Sequence, residues 1–176
     1  HREITSLLES VLRGLPTGAA LTLEIGDEEP FIARPLVGAP TPTERVTEHL
    51  LDGQQRLTAL WRALHDDYDD RVYLVGSEAD EEGNISTVVR AEPTYRKNGT
   101  RYPLWLKDPS ACWTRGWIPL SLCRPGATDA DVDEWAVAAA DGDASAVRGI
   151  DRAMSVYAAA IGTFNIPFLS LPPTTP

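Results

Sequence analysis

Histidine is nearly missing from this 176-residue chain: there are only His1, His49 and His65, and none stands in an HExxH or HNH-like grouping. Zinc-hydrolase and HNH-nuclease centres are thereby excluded from this stretch, since both need imidazoles at fixed spacing. Lysine is as scarce. Lys97 and Lys107 are the only two among 16 cations, the rest being arginine, so an anion site here would be built from guanidinium forks. Cys112 and Cys123, eleven positions apart, form no CxxC pair and no secreted disulfide scaffold, and are expected to be ordinary reduced thiols. The GxxxxGK[ST] loop is absent, so any triphosphatase activity must use an architecture other than the P-loop. GxSxG is absent too, which removes the hydrolase nucleophile elbow. No apolar run approaches the ~18 residues that span a bilayer, and no signal-peptide pattern opens the chain. The expectation is a cytoplasmic protein with no membrane partner.

What is present is the composition of a globular domain, 43% hydrophobic and 24% charged, with 16 basic against 26 acidic residues and a formal charge of −10. The length suits one domain with a real core over residues 1–176, and the negative balance disfavours non-specific DNA binding, which needs a basic footprint. Ile4, Leu7, Leu8, Val11 and Leu12 recur at helical spacing, predicting an amphipathic helix over Glu3–Arg13, ended by Gly14 and Pro16, whose stripe packs on a sheet. Leu21–Ile25 alternates as a strand, Gly26–Pro30 reads as an acidic turn, and Phe31–Val37 as the returning arm of a hairpin, demoted toward an edge by Pro35. Gly38–Arg45 is a loop. Further strands are expected at Val72–Val75, Ile85–Arg90 and Asn165–Leu171, with an acidic turn over Glu78–Asn84. Helices are expected at Thr128–Asp141, opened by Thr128 and Asp131 in capping-box-like spacing, and at Ala144–Ile161. Asp129, Asp131 and Asp133 mimic a calcium loop, but Glu134 stands where that loop needs glycine and Ala140 where it needs its bidentate glutamate.

The most informative stretch is HLLDGQQRLTALWRAL, His49 to Leu64. Val46, His49, Leu50 and Leu51 read as a strand, while Leu57, Leu60, Trp61 and Leu64 share one helical face. The polar pentapeptide Asp52-Gly53-Gln54-Gln55-Arg56 therefore sits where a strand becomes a helix. A helix start exposes unpaired N–H groups at the positive end of the macrodipole and favours an anion such as phosphate. Asp52 can cap the helix, Gly53 permits a sharp turn or close ligand approach, and Arg56 offers a planar donor fork. Gln54 and Gln55 can each orient a water or read a base or sugar edge. The plain structural reading is an ordinary cap and turn with an arginine snorkelling to solvent.

DGQQRLTAL resembles the signature of the large bacterial DGQQR family, whose fold is similar to the ParB and sulfiredoxin nucleotide-binding domains. The match at Asp52–Arg56 is complete, and the opening helix with its Gly-x-Pro turn and GWIPLSL at Gly116–Leu122 agree in order and spacing. The resemblance implies an α+β fold, a ParB/sulfiredoxin-like mixed sheet with packed helices. It also implies a role as the N-terminal domain of GmrSD-type modification-dependent restriction enzymes or SspE-like anti-phage proteins that respond to phosphorothioate DNA. In those proteins the motif is implicated in nucleoside triphosphate hydrolysis, often of GTP, and an HNH-type nuclease domain follows in cis. Carried over to this chain, the resemblance makes Asp52, Gln54, Gln55 and Arg56 the catalytic set and Gly53 and Arg56 the nucleotide-binding residues. Asp52 becomes the Mg²⁺ ligand or the positioner of the attacking water. The family usually carries a Gln-Arg segment with a nearby Trp before its first helix and continues with an Asn-containing helix. This chain runs from His1 to Pro176 without either, so it is expected to be a fragment.

Three other features invite function. His65-Asp66-Asp67-Tyr68-Asp69-Asp70 packs four carboxylates into six positions, either a solvated helix end or a divalent-cation site beside a nucleotide. Tyr95, Arg96, Lys97 and Arg101 surround an Asn98-Gly99 turn, a surface hairpin tip or a contact to DNA backbone or a guanine nucleotide. Trp105, Trp113 and Trp117 put three of the five tryptophans within thirteen residues, for core packing or for a pocket that recognises a modified base or backbone. The rival to a hydrolase is accordingly a non-catalytic sensor of phosphorothioate or base-modified DNA. A purely structural docking domain is the third reading.

Overall fold

The computed structural model describes residues 2–26, 34–41 and 43–173. The fold is α+β. Helix α1 (Arg2–Leu12) leads into β1 (Ala20–Glu24), β2 (Glu48–Asp52) and α2 (Gln54–Leu64), the strand-to-helix junction that the periodicity predicts. A long hairpin follows, β3 (Arg71–Ala79) and β4 (Ile85–Pro93), then a small one, β5 (Tyr95–Lys97) and β6 (Thr100–Tyr102). A 3₁₀ turn (Leu104–Lys107), α3 (Pro109–Thr114), β7 (Trp117–Pro119) and a second 3₁₀ turn (Leu120–Cys123) precede α4 (Asp129–Ala139), α5 (Ala144–Gly162) and β8 (Phe168–Leu171).

One sheet has the order β2-β1-β8, with β1 antiparallel to β2 and parallel to β8. The hairpin arm expected at Phe31–Val37 lies in part outside the described residues. Its remaining positions, Arg34–Val37, form no strand, and the antiparallel neighbour of β1 is β2 instead. Pro35 fixes its own φ and withholds a donor, so this segment makes a poor ladder partner. The second sheet, β4-β3-β7, is antiparallel throughout. Strand β3 runs on through Ala79, well past Val75, because its register with β4 continues unbroken from Arg71↔Pro93 to Ala79↔Ile85. The turn accordingly shrinks to Asp80–Asn84. There Asp80 accepts hydrogen bonds from the amides of Glu82 (2.9 Å) and Asn84 (2.8 Å).

Alternation divides this second sheet into two faces. Tyr73, Val75, Val89, Ala91 and Ile118 point into the main core, where they meet Leu8 and Val11 of α1, Leu60 and Ala63 of α2, and Ile150, Met154, Tyr157 and Ile161 of α5. Ile118, Leu120 and Ile150 are fully buried, each such side chain contributing about 1.5–3 kcal/mol. The opposite parity carries Leu74, Gly76, Arg90, Glu92 and Trp117. Helix α1 packs on β4 as expected, and Glu9 accepts the Val89 amide at 3.0 Å, which covers a donor on the sheet edge. Thr128 caps α4 through the Asp131 amide and Asp143 caps α5 through those of Ser145 and Ala146. No described helix is long and apolar enough to cross a membrane.

Candidate functional site: the strand-to-helix corner and an indole pocket

The corner is built as the pattern implies, with one correction. Gly53, not Asp52, is the N-cap of α2, at φ 96°, and no side chain caps the helix. Asp52 remains exposed at the end of β2, paired across the ladder with Leu21. The glycine is needed twice over. Its φ lies in the left-handed region, and a Cβ there would stand 3.2 Å from the Cβ of Ala20. The close approach that Gly53 permits is thus to β1. Gln54 donates from Nε2 to the Leu50 carbonyl at 3.1 Å, whereas Gln55 is exposed and makes no side-chain hydrogen bond among the described residues. The first helical bond runs from the Leu57 amide to the Gly53 carbonyl at 3.0 Å, so the amides of Gln54, Gln55 and Arg56 precede the intrahelical ladder.

Arg56 does not snorkel to solvent. Its Nη1 donates to the Thr17 carbonyl and its Nη2 to that of Ala19 at 2.6 Å. The loop between α1 and β1 curls around the guanidinium, and a Cβ on Gly18 (φ +87°) would come within 2.6 Å of Nη1. Two of the five donors are engaged in this way and three remain. Ser6, Ser10, Thr17, Gln54, Gln55 and Arg56 share the wall of an open groove of about 770 Å³ between α1 and α2, within the usual size range for small-molecule sites.

The acidic run and the basic hairpin, separate in sequence, resolve into one another. Arg101 donates to Asp66 (2.7 Å), to the carbonyls of Tyr68 (2.7 Å) and Arg71, and through Nε to Thr94 Oγ1 (3.2 Å). Arg62 holds Asp67 at 3.2 Å, Arg71 holds Asp70, and Arg96 lies 3.9 Å from Asp69. The run is an ion-paired belt. Burial raises the Asp66 carboxyl above its ordinary value despite Arg101, while the hydrogen bond from Arg71 lowers that of exposed Asp70. Among the described residues no group of three or more His, Cys, Asp or Glu is placed to hold a metal ion, so neither the belt nor Asp52 belongs to such a group. The hairpin itself forms as predicted, turning at Asn98 (φ 51°) and Gly99 (φ 76°), with Tyr95 and Tyr102 stacked at 5.3 Å. Arg96 and Lys97 stay exposed while Arg101 turns inward.

The three tryptophans part company. Trp113 packs against the core, but Trp105 and Trp117 line an open pocket of about 380 Å³ together with Arg90, Glu92 and Arg115. Arg115 lies over the Trp105 ring at 5.1 Å and Arg90 over the Trp117 ring at 5.9 Å. Gly76 makes room for this arrangement, since a Cβ there would stand 2.9 Å from the Trp117 ring. Sequence reasoning missed Arg90, Glu92 and Arg115. The signal was available for two of them, because alternation around buried Val89 sends Arg90 and Glu92 to the other face. Both cysteines are buried, which pushes their thiols up to about 11 (Cys112) and about 12 (Cys123), as befits inert reduced side chains.

Comparison with protein-family models and with curated protein sequences finds no match.

Proposed function

We propose that this α+β domain binds a nucleoside triphosphate in the groove between α1 and α2, with Mg²⁺, and hydrolyses it. The observation that supports this is the open first turn of α2, whose unpaired amides and polar side chains Gln54, Gln55 and Arg56 stand at the wall of a ligand-sized cavity. A phosphate set there meets the positive end of the helix and hydrogen-bond donors without a P-loop. Arg56 serves in two ways, bracing the α1–β1 loop and offering its remaining donors to phosphate. Gln55, without a tether, is the better placed of the two glutamines to orient an attacking water, since Gln54 is tied back to Leu50. Asp52, exposed at the end of β2, is the residue that would hold Mg²⁺, which would supply charge neutralisation at the phosphates. The DGQQR resemblance makes the particular nucleotide GTP. It makes the setting a ParB/sulfiredoxin-like regulatory domain of a modification-dependent restriction or anti-phage protein, gating an HNH-type nuclease.

Calorimetric titration with Mg²⁺ and a non-hydrolysable GTP analogue tests the reading. Binding is expected, and with GTP itself phosphate release falls about tenfold or more in Gln55→Ala at an unchanged melting temperature, the effect of losing a group that positions the attacking water. No binding of the analogue, or equal GTP turnover in wild type and Gln55→Ala, overturns it.

A further inference from the structure

The indole pocket lies on the outer parity of the second sheet, and the groove reading leaves it unused. Its chemistry is specific. Two indoles, Trp105 and Trp117, line it, and two exposed guanidiniums, Arg90 and Arg115, lie over the Trp117 and Trp105 rings at 5.9 and 5.1 Å, distances that leave a long side chain free to swing aside for a flat ligand. Glu92 is 14% exposed, and its buried Oε2 is ion-paired with Arg90 Nε at 2.7 Å. Two cations against one anion make this a locally positive site in a chain of charge −10. That balance disfavours a cationic ligand and suits a flat ring that carries a phosphate.

The carboxylate decides which ring. An ionised carboxylate only accepts hydrogen bonds, so it pairs with an edge that presents adjacent donors. Guanine does so, with N1–H beside its exocyclic amino group. Adenine and cytosine set a ring-nitrogen acceptor next to their amino group, and uracil and thymine flank a single N–H with two carbonyls, so each opposes a lone pair to Glu92. We infer that the pocket formed by Arg90, Glu92, Trp105, Arg115 and Trp117 binds an unpaired guanine nucleotide. The indoles stack on the base, Glu92, braced by Arg90, accepts from its Watson–Crick edge, and Arg115 meets its phosphate. The cavity of about 380 Å³ is near the small end of the ~300–1,000 Å³ typical for such sites, enough for one nucleotide. This inference goes beyond the groove reading and stands independently of it.

The shared chemistry has two sources, a free guanine nucleotide or a guanine in single-stranded nucleic acid. Tryptophan fluorescence titrations with GMP, AMP, CMP and UMP, and with single-stranded oligonucleotides containing or lacking one guanine, separate them. The expected result is GMP binding at least tenfold tighter than AMP, a gap that Glu92→Gln erases and Gln55→Ala leaves intact, with Arg115→Gln weakening every nucleotide. Tighter binding of the guanine oligonucleotide than of GMP identifies a strand as the ligand, and equal binding identifies the free nucleotide. The inference is overturned if neither GMP nor the guanine oligonucleotide binds, or if the four bases bind alike. It is equally overturned if binding is lost in Gln55→Ala and kept in Glu92→Gln, which would place the ligand in the groove instead.

Discussion

Arg56 and Arg101 on one side, and Arg90 and Arg115 on the other, are the same side chain put to opposite uses. The first pair turns inward and donates to backbone carbonyls that no helix or strand satisfies, those of Thr17 and Ala19 for Arg56 and of Tyr68 and Arg71 for Arg101. The second pair stays outside and lies over indole faces, with Arg115 donating to the Ala111 carbonyl one turn back in its own helix (2.7 Å) and Arg90 ion-paired with Glu92 (2.7 Å). Side-chain exposure tracks the division, 12% for Arg101 against 53% for Arg90. A buried carbonyl without a partner is costly, so a guanidinium within reach becomes a strut. Where the neighbours are an indole ring and a local partner at an exposed site, the stacking energy is small, about 0.5–1 kcal/mol, and Arg115, with one donor engaged, keeps the rest available to a ligand.

The contrast breaks most directly at Arg101. Arg101→Ala removes four hydrogen bonds and strands two carbonyls, and a stability loss of about 2–4 kcal/mol is expected by chemical denaturation. A loss no larger than that of an ordinary surface substitution would return Arg101 to the hairpin's exposed basic cluster. Arg56→Ala releases two carbonyls of a loop that is less enclosed, and about 1–3 kcal/mol is expected. An unchanged denaturation midpoint there would mean the α1–β1 loop holds itself and the arginine serves the groove alone.

The smallest effect concerns two carboxylates that are both paired with arginine yet shifted in opposite directions. Asp66 is raised by burial, so the native state holds its proton more tightly than the unfolded chain. Its contribution opposes folding at neutral pH, and that opposition is relieved as pH falls through the raised value. Asp70 is lowered by its hydrogen bond with Arg71. Its contribution is present above the unfolded value of about 3.9 and lost as pH falls through the lowered one. Carboxyl-carbon NMR should therefore show Asp66 protonating first and Asp70 well after it on acidification. The reverse order would mean that Arg101 outweighs desolvation at Asp66.

Much of the fold was legible because its elements announce themselves locally. The stripe from Ile4 to Leu12, the Thr128 cap and the alternation around Val89 each depend on neighbours a few residues away, and all three elements form. Length and pairing were less legible. Val72–Val75 extends to Ala79 only because β4 continues opposite it, and β1 pairs with β2 across a 23-residue interval that no local pattern bridges. The DGQQR corner was visible as a junction, but the identity of its cap was not, since the choice between Asp52 and Gly53 turned on the close approach of Ala20.

By itself the sequence determined the four longer helices and most of the strands to within a few residues, though not α3 or β7, that a glycine turns β2 into α2, and that charge is carried by arginine and aspartate more than by lysine and histidine. Only the tertiary structure decided what each charge and ring does. It set Arg56 against carbonyls 39 and 37 positions earlier, matched the acidic run to four arginines, and sent Trp113 to the core while leaving Trp105 and Trp117 around a pocket. The reason is physical. Periodicity is a property of a few adjacent residues, whereas the partner of a long side chain is whichever unsatisfied group the folded backbone brings within its reach.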